Sequence, residues 1–333
     1  MREPSTPGTE IVLLGTAGGP RVRASRAGIA SAVVLGGAVY LVDFGYGACR
    51  QVKLAGLDLS RLRAGFVTHL HSDHIADLAN LLLFGWYQNL ENLARPARLL
   101  GPGSRGGLPT AAADLGPREV ACPDDPTPGF AATVRHLHQA FATDINDRMR
   151  DNGRSHPDRL LAAADIELPA GVPFDPATAP APPMEPFRVY EDELVRVTAI
   201  LVHHAPMTPA YAFRFDTAEG SVVFSGDTGP CDNVVTLATG ADVLVHEAID
   251  EQWVQRAYRG ETARERAMVA HHATAHTPIR EAGLIAQKAG VGTLVLSHLV
   301  PAELDRPRWH EAADAFDGRL IVGEDLIRIP LRR

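Results

Sequence analysis

The sequence predicts an α/β fold, and three observations carry that prediction. Short apolar runs, many of them rich in β-branched residues, end in a polar or acidic residue at seven places along the chain. Segments with helical periodicity lie between them. A hydrophobic fraction of 45% over 333 residues is enough to bury a substantial core, which excludes a mainly disordered chain.

The runs are Ile11-Val12-Leu13-Leu14 before Gly15, Tyr40-Leu41-Val42 before Asp43, and Phe66-Val67-Thr68 before His69. Leu201-Val202 precedes His203-His204, and Val222-Val223-Phe224 precedes Ser225-Gly226-Asp227. Val243-Leu244-Val245 leads into His246-Glu247, and Leu294-Val295-Leu296 into Ser297-His298. Apolar runs this short read as buried strands, and α/β folds place their chemistry at strand C-terminal ends. The uncharged stretch 27–42 is shorter than the ~20 residues a membrane helix needs. Gly36-Gly37 divides it into two strands joined by a tight turn. Apolar residues at Ile75, Leu78, Ala79 and Leu82 predict a helix over 75–82. A second helix is predicted over 278–289, with Ile279, Ala282, Gly283 and Ala286 inward and Gly290 as its stop.

The middle of the chain differs. Arg and Asp mix in a helical pattern within 136–165, and residues 169–186 hold seven prolines. Such a segment is neither a regular helix nor a central strand. Strand–helix grammar flanks it on both sides. The expected organisation is a single domain spanning 1–333, with a helical and Pro-rich lid insertion at about 136–188.

The net charge is −8, there are 3 cysteines, and there are 14 histidines. The acidic balance argues against a binder driven by attraction to nucleic acid. So few cysteines form no disulfide framework, and the N-terminus lacks a signal-peptide layout. A soluble cytoplasmic protein is expected, with no membrane partner.

The strongest chemical signal is His69-Leu70-His71-Ser72-Asp73-His74. Three imidazoles and a carboxylate between a strand and a helix form a turn that can aim His69 and His71 at one cation and Asp73 and His74 at another. Nitrogen and oxygen ligands without thiolate suit zinc, iron or manganese. Of His203 and His204, strand alternation lets only one face such a site.

This motif resembles the hallmark of the metallo-β-lactamase superfamily, and the likeness extends further. The opening from Gly15-Thr16 to Arg26 is similar to the ribonuclease Z and arylsulfatase-like branches, as are Asp43-Phe44-Gly45, His204-Ala205-Pro206, Ser225-Gly226-Asp227-Thr228, His246-Glu247-Ala248, His276-Thr277 and Leu296-Ser297-His298. The resemblance implies a four-layer αββα sandwich of two mixed β-sheets with outer helices. It also implies a metal set of His69, His71 and His204 for one ion, Asp73, His74 and His298 for the other, and Asp227 bridging. The family's spacing favours His204 over His203. Asp43 is implied to accept a hydrogen bond from a ligand imidazole and fix its orientation. Asp73, His246, Glu247 and His276 are implied as catalytic residues, His276 acting on the transferred group with Glu247 holding its tautomer. No ligand is missing, so Cys231 is expected in a small pocket or the core, and Trp86-Tyr87 as core packing. His136 and His138 are expected solvated, and His271 and His272 on the surface.

The implied activity is that of a dinuclear metal-dependent hydrolase, zinc being the favoured metal and manganese or iron the alternatives. A metal-bridging hydroxide would cleave a small-molecule ester, a phosphodiester or sulfate ester above all. The alternative is a tRNA 3′-end processing endonuclease, and behind it a mononuclear iron dioxygenase. Against tRNA stand the −8 charge, the Ala/Pro-rich insert in place of a basic arm, and Ala27 after Arg26 where the nucleases carry Asn. The expected partner is therefore a small anionic ester rather than nucleic acid, with a homodimer left open.

Overall fold

In the computed structural model, which describes residues 8–111, 115–116, 118–304 and 306–331, the apolar runs become strands of two sheets. The first contains β1 (Glu10–Gly15), β2 (Ala30–Leu35), β3 (Ala38–Val42), β4 (Leu62–Phe66), β5 (Ala97–Pro102) and β6 (Leu161–Ile166) in sequence order. The second contains β7 (Phe187–Glu191), β8 (Val195–Leu201), β9 (Tyr211–Thr217), β10 (Ser221–Phe224), β11 (Val243–Ile249), β12 (Thr293–Val300) and β13 (Arg319–Val322). β14 (Arg328–Pro330) returns to pair antiparallel with β1. Both sheets are mixed. β1–β2–β3 and β7–β8–β9–β10 are antiparallel, whereas β3–β4–β5–β6 and β10–β11–β12–β13 are parallel.

Period-two alternation divides each strand between two cores. Ile11, Leu13, Tyr40, Phe66, Phe213 and Val295 meet between the sheets. Val12, Leu14 and Leu99 face outward, where Leu81, Leu82 and Phe130 pack on them. These come from the outer helices of the first sheet, which run from α1 (Ala48–Leu54) through α2 (Ser72–Ile75) and α3 (Leu78–Phe84) to α4 (Phe130–Ala140) and α5 (Ala142–Asp151). On the second sheet, α6 (Asp232–Ala238) and α9 (Ile279–Ala289) cover Ile200, Val223 and Leu244. Between them, α7 (Glu251–Ala257) and α8 (Ala263–Ala275) lie near the β11 and β12 ends through Ile249, Val254 and Val300. The four-layer αββα sandwich is thus present. Burial on both faces explains why the strands read as continuous apolar runs.

Several elements match their sequence reading, and some depart from it for identifiable reasons. Gly36 and Gly37, at φ 57° and 83°, make the left-handed turn between β2 and β3. Gly290, at φ 68°, closes α9. The helix expected over 75–82 is broken between α2 and α3, because Asp77 is engaged elsewhere. Its carboxylate accepts the Cys49 N–H at 2.6 Å and its own N–H donates to Phe44 O. The 136–188 segment contributes to the sheet itself: its helical part starts at Phe130, and Leu161–Ile166 joins the first sheet as β6. The Pro-rich run then leads from β6 to β7 in the other sheet. His246-Glu247 and Ser297-His298 lie within β11 and β12 rather than after them, at a bulge between His246 and Ala248. Bulges of this kind re-aim side chains, and His298 sits there at φ 50°. Among the described residues no helix is long and apolar enough to cross a membrane.

Candidate metal centre

β4 ends at Phe66, and the turn that follows carries His69, His71, Asp73 and His74 into the gap at the strand ends. Asp43, just after β3 and at φ 61°, anchors this turn. It accepts the Thr68 N–H at 2.8 Å and the Thr68 hydroxyl at 2.9 Å, and lies 2.9 Å from His74 Nδ1. Thr68 Oγ1 lies 3.1 Å from His69 Nδ1, and the Ala275 carbonyl lies 2.7 Å from His204 Nδ1. With the far nitrogens of three rings occupied, their Nε2 atoms are left to face inward.

The inward atoms converge in two groups. Ligand-type atoms of His69, His71 and His204 lie within 4.8 Å of one another, and so do those of Asp73, His74, Asp227 and His298. Asp227 stands between them. Its Oδ2 is 3.9 Å from His69 Nε2, 4.0 Å from His204 Nε2 and 3.2 Å from His298 Nε2, while Oδ1 is 3.3 Å from His74 Nε2. His74 Nε2 and Asp227 Oδ1 are buried without a hydrogen-bond partner. Folded proteins rarely leave such atoms unmatched, and a cation is the partner this nitrogen-and-carboxylate set fits.

The electrostatics agree. Burial holds the His69 and His204 imidazoles well below their usual range and lowers His71 to about 4, so all three present neutral lone pairs. Burial works against the charged forms of Asp73 and Asp227 as well, but neighbouring imidazoles, His298 foremost, hold both carboxyls below the usual carboxylate range. Burial would also lower His74; the Asp227 and Asp43 carboxylates outweigh it and raise that imidazole well above its ordinary value.

Beside the two groups, His276 Nδ1 lies 3.0 Å from both oxygens of Glu247. Burial opposes its charge, yet Glu247 and Asp227 prevail and raise it to about 9. Glu247 Oε1 also accepts the Thr228 N–H at 2.6 Å. His246 is fully buried, with Nδ1 2.8 Å from the Glu247 carbonyl, and burial lowers it to about 4. Among the described residues, the clusters able to hold a metal include neither His246 nor His203. His203 instead turns its Nδ1 toward Thr274 O at 3.2 Å.

Four peripheral expectations need correction. His271 is not a free surface residue: its ring centroid lies 6.4 Å from that of His71, 6.0 Å from His204 and 5.6 Å from His276. The last turn of α8 carries it over the centre, and that helix has almost no apolar face from which its register could be read. His272 is half-buried against Tyr258 at 5.6 Å. His138 is largely covered and lies 3.2 Å from Asp158, whereas His136 is exposed. Trp86 is buried, but Tyr87 is exposed, with the Arg148 and Arg154 guanidinium groups 5.4 and 4.6 Å from its ring centroid. Cys231 is half-buried and borders a groove with His203.

The sequence profile of the metallo-beta-lactamase superfamily matches residues 26–298. The chain belongs to that superfamily. It is a metallo-beta-lactamase superfamily hydrolase, and the fold implies divalent metal ions. Ribonuclease Z of Mycobacterium bovis (strain BCG / Pasteur 1173P2) is 33% identical over 324 residues, covering 96% of this chain and 97% of the relative. Ribonuclease Z of Mycobacterium sp. (strain KMS) is 34% identical over 326 residues, covering 96% and 95%. Human tRNase Z, short form, shares the superfamily fold, with a TM-score of 0.63 at 19% identity over 97% of this chain and 100% of that one.

These relatives overturn the expectation of a small anionic ester as partner with nucleic acid set aside. Ribonuclease Z is the name carried along nearly the whole chain, and the ribonuclease reading fits it better than small-ester hydrolysis. The expectation failed because net charge is a sum over the molecule, whereas attraction of a polyanion depends on local charge around one cleft.

Proposed function

We propose that this protein is an endonuclease of the ribonuclease Z type, cleaving the phosphodiester bond at the 3′ end of tRNA precursors. The observation that carries the reading is the near full-length similarity to ribonuclease Z at 33% identity, joined to a chain that brings seven ligand-type residues together. In this reading His69, His71 and His204 hold one cation, and Asp73, His74 and His298 hold the second, with Asp227 shared. Zinc is the metal proposed, on the all nitrogen-and-oxygen donor set. Bound there, two divalent cations supply a nucleophile from water near neutral pH and Lewis acidity at the phosphoryl oxygens.

The chain's own groups do the rest. Asp43 fixes the His74 ring through the 2.9 Å contact at Nδ1. Asp73, 3.5 Å from His298 Nε2, is placed to take a proton from the attacking water. Glu247 holds Nδ1 of His276 and keeps that imidazole protonated at neutral pH, so its Nε2 proton is available for the leaving oxygen. His246 is a positioning residue, its ring set against the Glu247 carbonyl. The chain acts as one cytoplasmic domain, and the 136–188 segment borders the substrate approach. Supporting that placement, Arg105 donates to both Pro176 O in the segment and Pro206 O beside His204.

The test is cleavage of a precursor tRNA carrying a 3′ trailer by the zinc-loaded protein. A single cut at the trailer junction, lost in Asp227→Ala, is expected. Hydrolysis of a bis-aryl phosphodiester reporter with no cut in any precursor would overturn the reading.

A further inference from the structure

The chemistry above leaves an apolar annex of the centre unused. A cavity of about 360 Å³ opens beside His71, walled by Leu70, Ile75, Leu108, Met207 and Pro209. Three loops build it: the metal-binding turn, the segment after β5, and the segment after β8. Arg105 ties two of them together, donating to Gly107 O at 2.7 Å and Pro206 O at 3.3 Å, and reaches the Pro-rich run at Pro176 O, also 3.3 Å. The walls are therefore tied together by a hydrogen-bond fork from half-buried Arg105. Leu108 stands 50% exposed at the rim, an apolar side chain kept where a ligand would cover it.

We propose that this cavity receives the nucleobase adjoining the scissile phosphate. The inference rests on the ribonuclease reading and names what that site grips beyond the phosphate. A nucleotide has a charged group and, one sugar away, a flat ring with polar edges and apolar faces. The centre and the cavity offer the complementary pair, sharing His71 as their common wall. Met207 and the prolines present polarisable faces on which a ring can lie. The apolar side chains that dominate the lining make the contact one of van der Waals packing on the face of the ring, tolerant of base identity.

The experiment compares an intact precursor tRNA with two precursors bearing a single abasic residue, one on each side of the cut. One abasic substrate should lose about tenfold in kcat/KM, in line with the burial of one ring face against apolar side chains. Met207→Ala should slow the intact substrate and shrink that difference. Equal cleavage of all three RNAs would overturn the pocket and leave the ribonuclease reading standing. Absence of any cleavage would remove the ribonuclease reading instead. A second arm then judges the pocket alone, using protein with 13C-methyl methionine and the Met207→Leu variant for assignment. Adenosine 5′-monophosphate should shift the Met207 methyl upfield by ring current, and ribose 5-phosphate should not. Identical responses to the two ligands, or none, would overturn the proposal.

Discussion

His203 and His204 differ by one position and by every property a metal ligand needs. His204 is fully buried, its Nδ1 2.7 Å from Ala275 O and its Nε2 3.0 Å from His71 Nδ1. His203 points the other way, with its backbone N–H on Thr228 Oγ1 and its ring on Thr274 O. The alternation that follows β8 decides between them. His204→Ala should lower the bound metal by about one ion per chain, because one of only three imidazoles in the first group is lost. His203→Ala should leave the metal content unchanged. Elemental analysis of the two purified variants checks this, and equal losses would remove the distinction. The same residue-scale logic explains His276. Its ring reaches Glu247 across 29 positions of sequence, a pairing no local pattern could reveal, although the resemblance did point to both residues.

At the scale of elements, the centre depends on how closely backbones can approach behind it. Gly45, directly after Asp43-Phe44, is packed against backbone on every side: an added Cβ would meet Asp73 O, Gly28 C and Ile29 N, each at 2.6 Å. None of those atoms is the end of a flexible side chain, so the loop bearing Asp73 or the β2 end would have to move. Gly45→Ala should destabilise the fold by about 1–3 kcal/mol, the usual cost of overpacking. Chemical denaturation of the metal-loaded variant measures it, and an unchanged midpoint would show that the loop yields freely. The elements legible in the sequence were those buried on both faces, such as β1, β3, β10 and β12, whose apolar runs are uninterrupted. β6 and β7 were not legible. Each is a half-buried edge strand, Leu161–Ile166 small and alanine-rich and Phe187–Glu191 only five residues long with exposed charges at Arg188 and Glu191, so neither carries a period long enough to tell strand from loop. The break at Asp77 was hidden for another reason: it follows from tertiary hydrogen bonds to Cys49 and Phe44 that helix periodicity does not encode.

At the scale of the whole molecule, the proposed tRNA substrate is a polyanion, and a chain with net charge −8 would have to hold it through cations near the cleft. The loop after β1 offers such cations. Its Gly19 abuts Asp73 so closely that a Cβ there would lie 2.3 Å from the carboxylate, and Arg21 and Arg23 follow within four residues. Arg23 pairs with Glu303 at 2.8 Å, which spends part of its charge, whereas Arg21 is exposed. Each phosphate neutralised by such a side chain releases a condensed counterion, so log K falls with log salt by about 0.7–0.9 per contact. Arg21→Ala should therefore weaken precursor tRNA binding to the Asp227→Ala protein and flatten its salt slope by about one contact. Lys288→Ala, an exposed position in the last turn of α9 at the end of that helix away from His276, should change neither. Binding isotherms at several salt concentrations separate the two. A flattened slope for the α9 variant with no change for Arg21→Ala would put the RNA over the outer helices of the second sheet instead of at the loop after β1.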